Sequence, residues 1–179
     1  MGRLTLILGG ARSGKSTYAQ RLAEESGKSV TFIATAQALD NEMSARIQKH
    51  RAERPENWDT LEIPCDIAAR VSQIKSGIVI LDCITLLISN LLMQFVKEDV
   101  VDEGPFMLAV QKEINELIDA LRGGNQTWLI VSNEVGLGLV PAYQMGRVYR
   151  DAIGSANQRL AREADQVIFM VAGIPTTVK

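Results

Sequence analysis

The chain contains few of the residues that form disulfides or zinc sites. Its 179 residues include one histidine and two cysteines, Cys65 and Cys83. The two cysteines lie in separate segments next to acidic residues, and no CxxC spacing is present. This cysteine usage argues against a disulfide scaffold or a zinc site and is typical of reduced thiols in a cytosolic protein.

Long apolar runs and clustered basic residues are also missing. The apolar runs are far shorter than the roughly 20 residues of a membrane-spanning helix, and the chain enters a predicted strand without a basic and apolar leader. The formal net charge is −2, and the basic residues do not form a stripe of the kind that binds nucleic acid. We therefore expect a cytoplasmic protein that neither spans a membrane nor binds nucleic acid.

No low-complexity segment or internal repeat divides the chain. At 179 residues and 46% hydrophobic content it can bury one sizeable core, so we expect a single domain over residues 1–179. Apolar, β-prone runs at 4–8, 29–34, 77–82, 127–132 and 166–171 alternate with helical patterns at 16–25, 40–53, 66–74, 85–95, 106–121 and 147–164. Short strands are possible at 58–63 and at 174–178. This alternation predicts an α/β fold with a mainly parallel sheet and helices on both faces.

Residues 9–16 match the phosphate-binding pattern G-x-x-x-x-G-K-[ST]. They are Gly9, Gly10, Ala11, Arg12, Ser13, Gly14, Lys15 and Ser16. The small residues let the backbone curl so that successive N–H groups point at phosphate oxygens, at the positive end of the next helix. Lys15 adds a positive charge, and the Ser16 hydroxyl can bind Mg²⁺. The alternative is a glycine-rich turn without a ligand, but the flanking strand and helix favour a P-loop NTPase-like nucleotide site.

Asp82 closes the buried strand predicted at residues 77–82. Four apolar residues followed by an acid are typical of a Walker B strand, whose carboxylate reaches the Mg²⁺ of a bound triphosphate. An aspartate after a strand is also common turn chemistry. The phosphate loop upstream favours the metal role for Asp82.

The single histidine, His50, lies near the end of the helix predicted over residues 40–53. Asp40 is a candidate N-cap for this helix, and Pro55 would stop it. Because Lys49 and Arg51 flank His50, the local sequence alone favours a solvated surface histidine.

Several segments of the chain are more distinctive than the phosphate loop. They are GGARSGKS, IATAQALDNEMSARIQKHRAERPENWDTLE, LDCITLLISNLL, SNEVGLGLVP and RDAIGSANQRLAREADQVIFMVAGI. Nearly end to end, the chain resembles the adenosylcobinamide kinase/adenosylcobinamide-phosphate guanylyltransferase family of cobalamin biosynthesis. The resemblance implies an enzyme that phosphorylates adenosylcobinamide with ATP or GTP and then transfers GMP from GTP to give adenosylcobinamide-GDP. It also implies a GMP-histidine intermediate and a homotrimer.

The resemblance assigns roles to individual positions. It makes His50 the guanylylated residue and residues 9–16, Lys15 among them, the site of the nucleotide phosphates. The other implied nucleotide-binding positions are Thr35, Ala36, Arg51, Arg54, Glu62 and Asp82. Mg²⁺ is the implied cofactor, with Ser16 and Asp82 as its protein ligands. Whether Asp82 binds the ion directly or through water stays open.

One phosphate-binding loop can serve both reactions. In GMP transfer a neutral imidazole attacks the α-phosphorus and pyrophosphate leaves, so a loop that holds the β- and γ-phosphates holds the leaving group. In the kinase reaction the same loop holds the triphosphate so that its γ-phosphoryl group can pass to a substrate hydroxyl. Arg54 shares a helical face with His50 if the helix continues that far, and it could bind phosphate oxygens. A surface ion pair is the alternative for both Arg51 and Arg54, and for Arg51 the two roles are nearly balanced.

Two other functions remain open on the sequence, a P-loop kinase without a covalent intermediate and a nucleotide-binding module without activity.

Two further expectations concern structure. The helix that carries His50 is highly charged and has few apolar anchors, so we expect it to dock weakly, with His50 away from the phosphate loop until GTP draws it in. The apolar residues around 85–95 occupy more than one helical face, so we expect them to leave surface for a subunit contact.

Overall fold

The computed structural model describes residues 2–38, 40–52 and 54–179. Over these residues the α-helices are α1 Lys15–Glu25, α2 Asn41–Ala52, α3 Ile84–Leu92, α4 Glu103–Arg122 and α5 Gln144–Glu163. The strands are β1 Arg3–Gly9, β2 Val30–Ala34, β3 Asp59–Glu62, β4 Ile78–Asp82, β5 Val96–Lys97, β6 Val100–Val101, β7 Thr127–Val131, β8 Gln166–Val171 and β9 Ile174–Thr177. Residue 53, the predicted end of α2, lies outside the described residues.

The central sheet of the described residues has seven strands in the order β3-β2-β4-β7-β1-β8-β9. All neighbours are parallel except β8 and β9, which form an antiparallel edge. β7 lies between β1, which leads into the phosphate loop, and β4, which ends at Asp82. The carboxyl ends of these parallel strands therefore bring the predicted nucleotide residues to one edge of the sheet.

Helices cover both faces of the sheet, as predicted. Alternate residues of β1, β4 and β7 point to opposite faces. One face, with Leu6, Leu81 and Ile130, packs against α3, α4 and α5. The other face packs against α1 through Ala19 and Ala23.

The helix predicted at residues 66–74 is confirmed and is a 3₁₀ helix, Ile67–Gln73. Its start is held by a long-range contact, because the buried Glu113 carboxylate accepts hydrogen bonds from the backbone N–H groups of Asp66 (3.1 Å) and Ile67 (3.0 Å). Asp66 itself is in the left-handed conformation, with φ 56°. The local sequence carries no sign of this cap from α4.

The acidic connection at residues 98–105, between the helices predicted at 85–95 and 106–121, contains regular structure. β5 and β6 pair antiparallel around Glu98 and Asp99, and α4 begins at Glu103 rather than at residue 106. Pro105 lies in the first turn of α4, where a proline is tolerated because its missing N–H has no intrahelical partner.

The apolar residues around 85–95 do not leave the surface that we expected. Leu87, Ile88, Leu91 and Leu92 are buried within the chain itself, and among the large apolar residues of this segment only Met93 is exposed. α3 lies between the sheet, α4 and α5, which use more than one of its faces. The physical argument for a subunit contact at this segment is therefore wrong.

Candidate nucleotide site

The phosphate loop has the backbone geometry that its glycines allow. Gly9 and Gly14 have φ values of +151° and +90°, and a Cβ atom on Gly9 would lie 2.6 Å from the carbonyl oxygen of Met170. The turn between β8 and β9 supports the loop from outside, since the N–H of Gly173 donates to the carbonyl of Ser13 at 3.0 Å. α1 starts at Lys15, so its first N–H groups lack intrahelical partners and are available to an anion.

Lys15 is buried at the start of α1, and its Nζ donates to the carbonyl of Gly10 at 2.6 Å. Burial lowers the pKa of Lys15, against the opposing effects of Cys83 and Asp82. A bound triphosphate would supply the negative charge that stabilises this ammonium group. The Lys15 side chain thus already lies across the loop in which it is expected to bind the phosphates of a nucleotide.

Asp82 lies next to Ser16, whose hydroxyl donates a hydrogen bond to the carboxylate. Burial raises the pKa of Asp82, although Ser16 and the charges of His50, Arg54 and Lys15 oppose the shift. The Walker B carboxylate and the phosphate-loop hydroxyl, far apart in sequence, therefore meet as predicted. His50 is close enough to act on Asp82 electrostatically.

This oxygen pair fits Mg²⁺, which commonly takes one or two carboxylates together with substrate phosphates and waters. A cation here would also relieve the cost of burying the Asp82 charge. Among residues 2–38, 40–52 and 54–179, no group of three or more His, Cys, Asp or Glu residues could hold a metal ion. The arrangement therefore matches an ion shared with a bound nucleotide rather than one caged by protein ligands.

Thr35 ties the end of β2 to the end of β4. Its hydroxyl donates to the carbonyl of Cys83 and accepts from the N–H of Cys83, both at 2.8 Å. Its own N–H donates to the carbonyl of Asp82 at 3.2 Å, and the residue is fully buried. Of the two positions predicted after β2, Ala36 faces the cavity described next and Thr35 is engaged in holding the strands together.

A cavity of about 240 Å³ lies between the phosphate loop, the strand ends and α2. Predicted site residues on its wall are Ser16, Ala36, His50, Arg51, Arg54, Glu62 and Asp82. Asp40 caps α2 as predicted, because its Oδ1 accepts from the N–H of Met43 at 2.7 Å. The structure places His50 and Ser16 in the lining of one cavity, and the movement of His50 toward the phosphate loop on GTP binding stays a prediction.

The two arginines of α2 and its exit lie in different environments. Arg51 is exposed and forms a 3.8 Å ion pair with Glu62. Arg54 stacks on the ring of Phe32, with 3.5 Å between its guanidinium carbon and the ring centroid. Burial lowers the pKa of Arg54, and its Nε has no hydrogen-bond partner. A phosphate oxygen in the cavity would meet an arginine that is partly desolvated and oriented by Phe32.

Sequence reasoning missed several residues of the cavity wall. They include Phe32, Met43, Ile47, Cys83, Thr85, Leu86, Asn133 and Tyr149. Asn133 could have been found from its place directly after β7. The Tyr149 hydroxyl reaches the wall from α5 and donates to the carbonyl of Thr85 at 3.0 Å, a contact that no local sequence pattern indicates.

Both cysteines are free, as expected. Burial raises the pKa of Cys65 and of Cys83 to about 11, so both are thiols at neutral pH. In the described part of the chain no helix is both long enough and apolar enough to cross a membrane.

Comparison with known proteins identifies the family of the chain. The chain matches the family described as cobinamide kinase / cobinamide phosphate guanyltransferase over residues 5–178. It is 44% identical over 176 residues to the bifunctional adenosylcobalamin biosynthesis protein CobP of Pseudomonas aeruginosa, a match that covers 97% of this chain and 96% of that protein. The bifunctional adenosylcobalamin biosynthesis protein CobU of Escherichia coli is 39% identical over 181 residues, a match that covers 98% of this chain and 99% of that protein.

The fold also resembles a solved structure of much lower identity. The RadB recombinase superposes with a TM-score of 0.52 at 14% identity, covering 94% of this chain and 74% of that chain. At this identity the likeness concerns the fold alone, and it confirms the predicted α/β, P-loop NTPase-like class. The chain is therefore an enzyme of the cobinamide kinase / cobinamide phosphate guanyltransferase family.

Proposed function

We propose that the enzyme phosphorylates a hydroxyl of adenosylcobinamide with ATP or GTP and then transfers GMP from GTP to the phosphate, through a GMP adduct of His50. The observation that carries this proposal is the shared cavity, which joins His50 to the phosphate-loop hydroxyl of Ser16 and the carboxylate of Asp82. A kinase alone needs only the second part of this arrangement.

The phosphate loop would hold the triphosphate in both reactions. Free N–H groups at the start of α1 and the ammonium of Lys15 would bind the β- and γ-phosphates. Ser16 and Asp82 would hold Mg²⁺, which supplies charge neutralisation on the phosphate oxygens when bound. In the kinase reaction the γ-phosphoryl group passes to the substrate hydroxyl, and the nucleoside diphosphate leaves.

GMP transfer would proceed in two displacements. A neutral ring nitrogen of His50 attacks the α-phosphorus of GTP, forming a P–N bond as the bond to pyrophosphate breaks. A phosphate oxygen of adenosylcobinamide phosphate then attacks the same phosphorus and releases His50. Arg54, stacked on Phe32, would bind the α-phosphate oxygens, with the exposed Arg51–Glu62 pair close by.

We also propose, from the family resemblance, that the enzyme is a homotrimer in the cytoplasm, where ATP and GTP are available. Light scattering at micromolar concentration tests the assembly. A mass of 19.6 kDa, that of one chain, would contradict the trimer.

Mass spectrometry of the protein after incubation with GTP and Mg²⁺ tests the covalent route. We expect a GMP adduct that maps to His50 and disappears in His50→Asn. If wild type phosphorylates adenosylcobinamide but no adduct forms, the enzyme is a kinase without a covalent intermediate.

A further inference from the structure

The loop at residues 135–143, between β7 and α5, is apolar and exposed. Leu139 is 97% exposed and Leu137 82%, and Val140 and Tyr143 are also largely exposed. No residue from 135 to 143 carries a charge. Exposed apolar side chains gathered in one uncharged loop are a candidate binding surface.

The loop starts beside the cavity that contains His50 and Asp82. Asn133 lines the cavity two residues before the loop, and Tyr149 lines it from the second turn of α5. The N–H of Glu134 donates to the carbonyl of Gly9 at 3.0 Å, so the loop leaves directly beside the phosphate loop. The exposed apolar residues therefore lie on a loop that starts at the edge of the cavity.

The loop is held in place rather than loosely attached. Arg147 on α5 donates to the carbonyls of Pro141 (3.1 Å) and Ala142 (2.7 Å). A Cβ atom on Gly146 would lie 2.8 Å from both Pro141 and the Tyr143 ring, so this glycine permits their packing against α5. The exposed leucines are presented on a backbone anchored at its far end, which limits the entropy lost on binding.

The cavity is too small for the acceptor substrate. Its volume is about 240 Å³, whereas pockets for drug-sized ligands span about 300–1,000 Å³, and a corrin macrocycle with its side chains is larger than such ligands. Only the reacting hydroxyl or phosphate arm can enter. The macrocycle must then lie outside, against the surface at the mouth.

We propose that the apolar residues of the 135–143 loop form the surface that receives the corrin macrocycle of adenosylcobinamide. This inference rests on the proposed function. The macrocycle carries methyl groups and uncharged amide side chains, which match a loop without charges, whereas the triphosphate is matched by Lys15 and the helix terminus. The two substrates would thus be separated by the chemistry of the surfaces on which they lie.

The test is the affinity of the protein for adenosylcobinamide, measured by equilibrium dialysis with the corrin absorbance as readout. We compare wild type with the double variant Leu137→Ser/Leu139→Ser. The matched control is Val100→Ser/Leu108→Ser, which replaces two exposed apolar residues on β6 and α4. The GMP adduct formed with GTP alone and the mass in solution are measured for all three.

We expect the loop variant to raise the Kd of adenosylcobinamide by about tenfold or more, as loss of two apolar contacts would. The adduct should form as in wild type, and the control should keep the wild-type Kd. A loop variant with a Kd within twofold of wild type would overturn the proposal. If its Kd is unchanged while its mass falls, the loop is a contact between copies of the chain.

The same measurements distinguish a failure of the proposed function from a failure of the loop proposal. If wild type binds adenosylcobinamide but does not phosphorylate it, the activity is wrong and the comparison of Kd values still decides the role of the loop. If wild type does not bind it at all, both proposals fall.

Discussion

The two walls of the cavity differ in how firmly they are built into the protein. On one wall α1 buries Lys15, Ala19 and Ala23 against the sheet, and the β8–β9 turn supports the phosphate loop. On the other wall, no residue of α2 whose side chain the structure describes is buried, and His50 is exposed. The loop proposed to hold phosphate is fixed in advance, whereas His50, the proposed nucleophile, lies on a helix that makes few contacts with the core.

This difference suits an enzyme with two reactions on one site. Phosphate binding is common to both, so its geometry can be rigid without favouring either. In the proposed mechanism the histidine is needed in GMP transfer alone, and a weakly docked helix can approach or leave at little cost in free energy. The predictions below test this contrast.

Removal of Lys15 should affect both reactions, and removal of His50 only one. We expect Lys15→Ala to lower both rates by about a hundredfold or more, because each transition state loses a charge partner. His50→Ala should abolish GMP transfer and retain much of the kinase rate. Separate assays of the two products check this. Formation of adenosylcobinamide-GDP by His50→Ala at near the wild-type rate would show that the covalent route is wrong.

The contrast also predicts where stability resides. Ile130→Ala, in the buried centre of β7, should lower the free energy of unfolding by about 2–5 kcal/mol through lost burial and a cavity. Ile47→Ala, on the half-buried side of α2, should cost under about 1 kcal/mol. Urea titrations measure both values. Equal losses would mean that α2 is docked as firmly as the core strands.

Buried Glu113 gives a prediction for stability and pH. Glu113→Gln should lose about 1–3 kcal/mol, because one of the two backbone N–H donors that the carboxylate satisfies is left without an acceptor. Burial raises the pKa of Glu113 above its usual 4.5, so the folded state binds this proton more tightly than the unfolded state. The stability of wild type relative to Glu113→Gln should therefore fall as pH rises through and above about 4.5.

Denaturant titrations of both proteins from pH 4 to pH 7 provide the measurement. The Glu113 site is remote from the nucleotide, so the kinase rate under native conditions should be the same in both. A relative stability that rises with pH would reverse the sign that burial gives.

The subtlest effect should appear in hydrogen exchange. We expect GTP to slow exchange across residues 40–52 by about tenfold, because a nucleotide that contacts Arg51 or Arg54 docks α2. The core strand β7 serves as the internal control and should not change. Equal protection of α2 with and without GTP would indicate a fixed helix.

The sequence predicted the parts of the site that depend on local pattern. The phosphate loop can be predicted from glycines at positions that need unusual backbone angles. Asp82 can be predicted as a site residue from its place directly after an apolar strand. The Asp40 cap of α2 and the β9 edge strand were also predicted and are confirmed. In each case the deciding interaction lies within a few residues of the signal.

The rest depends on partners distant in sequence. Glu113 caps a 3₁₀ helix 46 residues earlier, and Thr35 bonds to Cys83 across 48 residues. The stacking of Arg54 on Phe32 and the arrival of Tyr149 at the cavity likewise follow from the strand order and from helix packing. Periodicity and composition describe one segment at a time and carry no information on such pairs.

The hydrogen bonds of Thr35 also bear on how far a rotation of α2 would move His50. Because its amide and hydroxyl both bond to the end of β4, Thr35 anchors the chain ahead of α2, and a swing about the N-terminal end of the helix would pivot near Asn41. His50 lies nine residues along α2, roughly 14 Å from the start of the helix. On a lever of that length, a rotation of about 20° would carry the imidazole about 5 Å. A small change of angle at the pivot would therefore be enough to bring the nucleophile to, or take it from, the α-phosphorus.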